Sequence, residues 1–218
     1  MKSKQIRLGR NNGFFNDHML GSGGGSLPLI VTVGSTGSTA TQISGDLNRP
    51  GILRLSSGLG NGAWACARGN HSLNLGGGKF GFSAGLRIIS APTAAENSSF
   101  TIGFSDVVDN STFTDAVCLF GAAGNNWLWI ARNNGTTTTV DSGVPITSNS
   151  WFDMSIQTYN SGASAICNIA GVEKTITTNI PKTAGRETGI AFQSVKTAGT
   201  TLASIIDLDY YSFEWELN

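Results

Sequence analysis

The chain has 218 residues, with 14 basic and 14 acidic side chains and only 13% charged residues. Gly (29), Ser (24), Thr (22) and Asn (18) fill more than two fifths of it, and such poor helix formers and good turn formers exclude a helical bundle. Balanced charge gives no global field toward nucleic acid, and 39% hydrophobic residues in short alternating runs exclude a disordered chain.

Residues 1–26 read as an extended N-terminal arm, ending in the flexible run GSGGGS. Lys2, Lys4, Arg7 and Arg10 against Asp17 make this leader basic, while Asp207, Asp209, Glu214 and Glu216 make the far end acidic. Ile6, Leu8, Phe14, Phe15, Met19 and Leu20 give the leader apolar side chains to bury. It has no apolar core of signal-peptide length, and no stretch approaches a membrane span, so synthesis and folding in a cytosol are expected.

Residues 27–218 read as one β domain. The clearest strand is Phe80, Phe82, Ala84, Leu86 and Ile88, with Gly81, Ser83, Gly85 and Arg87 between them, a period of two with one apolar face. Phe100, Ile102 and Phe104 repeat it, as do Phe152, Met154 and Ile156, with Asp153, Ser155 and Gln157 facing away. Further strands are expected near 28–33, 51–57, 62–68, 115–121, 126–132, 136–141, 163–170, 172–178, 188–196 and 202–217, separated by turn sequences such as NNG and NSG. PTAAENSS at 92–99 has room for one short helical turn. In the last strand Ile206 and Leu208 are apolar at even positions, whereas Tyr211, Phe213, Trp215 and Leu217 are apolar at odd ones. One face holds both sets only through an extra residue, so a bulge or twist is predicted near Asp209–Tyr210. Many short strands without helices imply two packed sheets or a barrel.

Cys66, Cys118 and Cys167 are too few and too apolar in setting for a disulfide framework, and read as small buried hydrophobes. With no CxxC and only His18 and His71, no metal site is expected. GGGK at 76–79 lacks the spacing of a P-loop and reads as a turn. No cofactor is expected.

From about residue 79 to 217, the order GKFGFSAGLRI, FTIGFSD, NWLWIARNNGTTTTVDSG, SWFDMSIQTYN, CNIAGVEKT and IIDLDYYSFEWEL resembles the concanavalin A-like lectin/glucanase (laminin G-like) sandwich, in versions found in tailed-phage virion proteins. The resemblance implies an all-β, two-sheet antiparallel jelly roll. Glucanases of this fold carry Glu-x-Asp-x-x-Glu, which is absent, and neither histidine lies where alginate-lyase relatives place a Gln/His pair. No catalytic residues are therefore expected, and the chain is read as a non-enzyme.

The candidate sites are modest. Asp207-x-Asp209 could bridge a cation or cap a bulge; Asp106, Asp109 and Asn110 could bind calcium or form Asx turns. Trp127 and Trp129 with Arg132 could form a glycan platform or pack against a strand or subunit. The functional expectation is a structural protein of a tailed-phage virion, a capsid decoration or cement protein. It would sit on the virion surface after synthesis in the host cytoplasm and bind the major capsid protein or other virion subunits through its leader. A homo-oligomer, taken as a trimer, follows from that setting, with no nucleic-acid or membrane partner. The alternative is a carbohydrate-binding tail fibre or spike module for host attachment.

Overall fold

Period-two runs become strands because a pleated chain puts alternate side chains on opposite faces, and each apolar face needs a partner layer. The structure is a computed structural model. It describes residues 7–8, 12–17, 29–46, 49–69, 72–107, 109 and 111–218; of residues 7–8, 12–17, 45, 46 and 50 only the backbone is described.

The strands in chain order are β1 (Arg7–Leu8), β2 (Asn12–Asp17), β3 (Ile30–Gly34), β4 (Thr39–Asp46), β5 (Arg49–Ser56), β6 (Trp64–Arg68), β7 (Gly78–Ile88) and β8 (Ser98–Ser105). They continue as β9 (Ala116–Ala122), β10 (Asn126–Asn133), β11 (Thr136–Pro145), β12 (Trp151–Tyr159), β13 (Ser164–Ile169), β14 (Val172–Ile176), β15 (Gly189–Lys196) and β16 (Ile205–Leu217). The helical turn allowed at 92–99 does not form. A 3-10 turn lies instead at Leu75–Gly77, where Asn74 Oδ1 accepts the Gly76 N–H at 2.9 Å and stops the orphan donor going unpaired.

Two antiparallel sheets result. Seven strands run β11-β10-β9-β8-β15-β6-β3. The other, nine-stranded sheet runs β1-β2-β16-β7-β12-β13-β14, with the β4–β5 hairpin joined to β16 beside β2. This is the all-β jelly-roll sandwich. Between the layers Phe82 meets Phe104 and Phe192 at centroid distances of 6.0 and 5.6 Å, and Phe192 meets Tyr211 at 5.9 Å. Each ring so buried contributes about 1.5–3 kcal/mol from its lost water contact. Asn134 and Gly135 both take positive φ (50° and 79°), the geometry a two-residue hairpin needs, and so join β10 to β11.

Strand β16 organises the larger sheet. One side pairs with β7 throughout; the other pairs with β5 over Ile205–Leu208 and with β2 over Tyr211–Glu216. The backbone of Asn12–Asp17, inside the basic leader, is thus a strand of the sheet. Arg7, Leu8, Phe14 and Phe15 lie in these paired strands without described side chains. Lys2, Lys4, Ile6, Arg10, Met19 and Leu20 lie outside the described residues. The register of β16 against β7 slips between Leu208 and Tyr210, so the bulge expected near Asp209–Tyr210 is present, with Asp209 as the extra residue. Ile206, Leu208, Tyr211 and Phe213 are consequently all buried.

Candidate functional site

The outer face of the nine-stranded sheet carries an aligned set of polar side chains. Three adjacent strands, β16, β7 and β12, set them in rows. Arg87 stands between Asp207 and Trp151, Gly85 between Tyr210 and Asp153, Ser83 between Ser212 and Ser155, and Gly81 between Glu214 and Gln157. Successive rows are about 7 Å apart, from two residues of strand rise. The glycines keep the floor low. A Cβ at Gly85 would lie 2.5 Å from Tyr210 Cε1, and one at Gly81 would lie 2.5 Å from Glu214 Cγ. Side chains from β16 therefore lean over β7.

In the middle of this face is a depression of about 390 Å³, lined by Ser83, Trp151, Asp153, Ser155, Asn168 and Tyr210 among others. The Tyr210 hydroxyl donates to Asp153 Oδ1 at 2.9 Å. Burial first, and the Asp153 carboxylate second, hold the Tyr210 phenol above the usual tyrosine range. Tyr210 is thus a neutral hydrogen-bonding group at neutral pH. Ser83 and Ser212 share a hydroxyl–hydroxyl bond of 2.6 Å one row further on.

Toward one end, Tyr159 donates to Gln157 Oε1, and Gln157 Nε2 donates to Glu214 Oε1 at 3.0 Å. Lys79 Nζ lies 5.0 Å from the centre of the Tyr159 ring. A phenol, an amide, a carboxylate and an ammonium thus come together from β12, β16 and β7. This set can orient a polar substrate and pass a proton through Tyr159. Asp153 and Glu214 lie two rows apart, about 13 Å along the strands, too far for the acid pair of a glycosidase, which needs about 5–10 Å.

Toward the other end, arginines surround two acids. Asp207, fully buried, accepts from Arg54 Nε and Nη2 at 2.7 and 2.9 Å and from Arg87 Nη2 and Nε at 2.7 and 3.2 Å. The Asp207 hydrogen bonds raise the Arg54 pKa above its ordinary value, fixing its charge. Arg49, at the tip of the β4–β5 hairpin, donates to Asp209 at 2.5 Å. The guanidinium carbons of Arg49 and Arg87 lie 4.1 and 4.6 Å from the Trp151 ring centre.

The other expected sites fall out differently. Asp207 and Asp209 are taken up by guanidinium groups, so the cation reading does not hold. Asp109 accepts the Ser111 N–H at 2.7 Å, as a turn-forming Asx residue does, and Asp106 accepts the Thr114 N–H at 2.9 Å across the loop; Asn110 lies outside the described residues. No exposed platform forms at Trp127 and Trp129, which are 1% and 0% exposed. They point between the sheets, where Trp127 packs on Phe100 and Phe152 at 6.2 and 5.3 Å. Arg132, of opposite parity on β10, faces the other way and covers Phe113 at 5.6 Å. The three cysteines are buried, and burial pushes the Cys66 and Cys167 thiols up to about 12. Among the described residues no group of three or more His, Cys, Asp or Glu is placed to hold a metal ion, and no helix is long and apolar enough to cross a membrane.

Fold and site together define a concanavalin A-like jelly roll with a polar outer face on its larger sheet. Residues 48–209 match the family described as SO2946-like, C-terminal domain, and the chain belongs to that family. A protein of unknown function, SO2946 from Shewanella oneidensis MR-1, is similar over 97% of this chain and 89% of its own, with TM-score 0.69 and 13% identity. Endo-β-1,4-glucuronan lyase from the fungus Trichoderma reesei is similar over 84% and 89%, with TM-score 0.61 and 9% identity. The β-glucanase of Bacillus licheniformis is similar over 94% and 98%, with TM-score 0.58 and 14% identity. No curated protein matches the sequence.

These likenesses correct the expectation of a non-enzyme, since proteins of this fold across nearly the whole chain include carbohydrate-cleaving enzymes. The expectation was drawn from contiguous motifs alone. It rested on the missing Glu-x-Asp-x-x-Glu strand and Gln/His pair, yet a site can be assembled across strands. Gln157, Tyr159, Glu214, Lys79, Tyr210 and Asp153 come from three separate segments and form no contiguous motif. The available signal was the polar half of the alternation in β12, where Asp153, Ser155, Gln157 and Tyr159 share the face away from the core.

Proposed function

We propose that the protein is carbohydrate-active: it seats a polysaccharide along the outer face of the nine-stranded sheet and cleaves it beside Tyr159. The carrying observation is the in-register rows across β16, β7 and β12, where Tyr210 crosses Gly85 to reach Asp153 and Glu214 crosses Gly81 to meet Gln157, so that polar and aromatic groups line one face at a regular spacing. A sugar chain is a ribbon of hydroxyl groups, and such a face offers it many weak, aligned hydrogen bonds. Tyr159, bonded to Gln157 and close to Lys79, is the proton-transfer residue in this reading; Gln157 and Glu214 orient it and the substrate. The glucuronan lyase and β-glucanase of the same fold, which act on glycans, support the assignment.

The test is incubation of the purified protein with a panel of neutral and acidic polysaccharides. New reducing ends report any cleavage, and absorbance at 235 nm reports an unsaturated product. Cleavage by the natural chain, lost on Tyr159→Phe with unchanged thermal stability, is the expected result. A chain that neither binds nor cleaves any polymer of the panel overturns the reading.

A further inference from the structure

The two ends of the outer face differ in charge as seen by a ligand. At the Trp151 end Arg49, Arg54 and Arg87 face Asp207 and Asp209, with Asp153 one row on, so among the described side chains the formal charges cancel and burial decides what a ligand meets. The side chains of Asp207 and Asp209 are 0% and 8% exposed, whereas those of Arg49, Arg54 and Arg87 are 23%, 31% and 21% exposed. The acids lie beneath and the cations above. Asp207 spends its two oxygens on Arg54 and Arg87, which sets both planar groups at fixed angles and leaves other N–H donors of each uncommitted among the described residues. Arg49 closes over Trp151 from the hairpin tip. The next row brings Asp153, whose Oδ1 accepts the Tyr210 hydroxyl. Glu214 and Glu216, both exposed, lie at the far end of the face.

We infer that the Arg49–Arg87–Trp151 end is a subsite for an anionic sugar, one carrying a carboxylate or sulfate group. The inference rests on the carbohydrate-active reading and adds the substrate's charge to it. Buried Asp207 and Asp209 are positioning residues here: they hold the guanidinium groups in place without presenting their own charge to the ligand. An anion at this end meets preorganised donors in a partly desolvated setting, where charge-assisted hydrogen bonds are about twice as strong as neutral ones. A neutral sugar gains only the aromatic edge and hydroxyl contacts.

The test uses polymers on one backbone. Hydroxyethylcellulose, carboxymethylcellulose and cellulose sulfate share a β-1,4-glucan chain and differ in charge; binding of each to the natural chain is measured by affinity electrophoresis and calorimetry at low and high salt. The expected result is an affinity at least about tenfold higher for a charged polymer at low salt, a margin that shrinks as salt screens it. The charged partner that binds tighter tells carboxylate from sulfate. Arg49→Gln should lose about tenfold on that polymer and clearly less on hydroxyethylcellulose, while Arg49→Lys keeps part of the preference. Equal binding of all three polymers, or an equal loss on all three in Arg49→Gln, overturns the subsite and leaves the carbohydrate reading standing. Failure to bind any of the three removes the subsite, and the carbohydrate reading falls with it only if the whole polysaccharide panel fails too.

Discussion

The Tyr210 hydroxyl reaches Asp153 Oδ1 at 2.9 Å by passing over Gly85, which has no side chain to stop it. The contact exists because the bulge at Asp209 re-aims Tyr210 outward while returning Tyr211 to the core. Gly85→Ala would put a methyl group 2.5 Å from Tyr210 Cε1 and 3.3 Å from Asp153 Oδ1. The ring must swing away and the hydrogen bond must break. The expected outcome is a stability loss of about 1–2 kcal/mol, by overpacking, with a larger loss of glycan affinity. Chemical denaturation and binding on the same sample check it; an intact Tyr210–Asp153 contact in the variant's crystal structure would contradict it.

Asp207 is buried with two guanidinium partners, so Asp207→Ala leaves two cations short of a counter-charge at the junction of β5, β16 and β7. Removing one member of a buried ionic cluster costs about 3–5 kcal/mol. Urea unfolding should show that loss, with Asp207→Asn intermediate because the amide still accepts from one arginine.

Glu96 gives a pH dependence of known sign. Its carboxylate accepts from Lys196 and from Thr201 and Leu202, tying the 92–97 loop to the 197–203 loop. The Lys196 hydrogen bond first, and Thr201 second, lower its pKa from 4.5 to about 2. The folded-state value lies below the unfolded one, so the contribution is complete above about 4.5 and is lost as pH falls toward 2. Thermal unfolding between pH 6 and 2 should therefore show a downward slope below pH 4.5 that Glu96→Gln flattens. The variant should also be less stable than the natural chain at pH 6.

Trp127 and Trp151 should separate stability from binding. Trp127→Ala opens a cavity between the sheets and should cost about 3–5 kcal/mol. Trp151→Ala, on the outer face, should cost less stability and more glycan affinity. Paired unfolding and binding curves decide the matter; equal effects on binding would sink the assignment of the outer face.

The leader pairs along half of one strand. Deleting residues 1–17 should expose the β16 edge from Tyr211 to Glu216, lowering the unfolding temperature and promoting concentration-dependent association through the open edge. Light scattering across a dilution series reads this directly.

Much of the sandwich was legible in the sequence because its core obeys period two: Phe80 to Ile88, Phe100 to Phe104 and Phe152 to Ile156 fall in strands at the expected parity. Even the slip in β16 was visible, since Leu208 and Tyr211 cannot share a face without an extra residue. Strand β4 was not, because TATQISGD has little apolar alternation and gains its partner from the hairpin rather than from burial. Nor was β2, whose pairing with β16 is a contact between the two chain ends. The site was least legible. Arg87, Tyr210 and Trp151 are far apart in the chain, and only the register of three strands makes them neighbours. For the tryptophans both readings stayed open in the sequence, because NWLWIAR states that alternate residues face opposite ways but not which way is inward.

The single supernumerary residue in β16 makes this segment tolerant of one length change and intolerant of its neighbours. Excising Asp209 would close the bulge into a regular strand in which Leu208 and Tyr211 still face the core and Tyr210 still faces out, at the cost of the carboxylate that Arg49 bonds. Excising Ser212 instead would shift the phase of everything after it, turning Glu214 inward and Phe213 and Trp215 out to water.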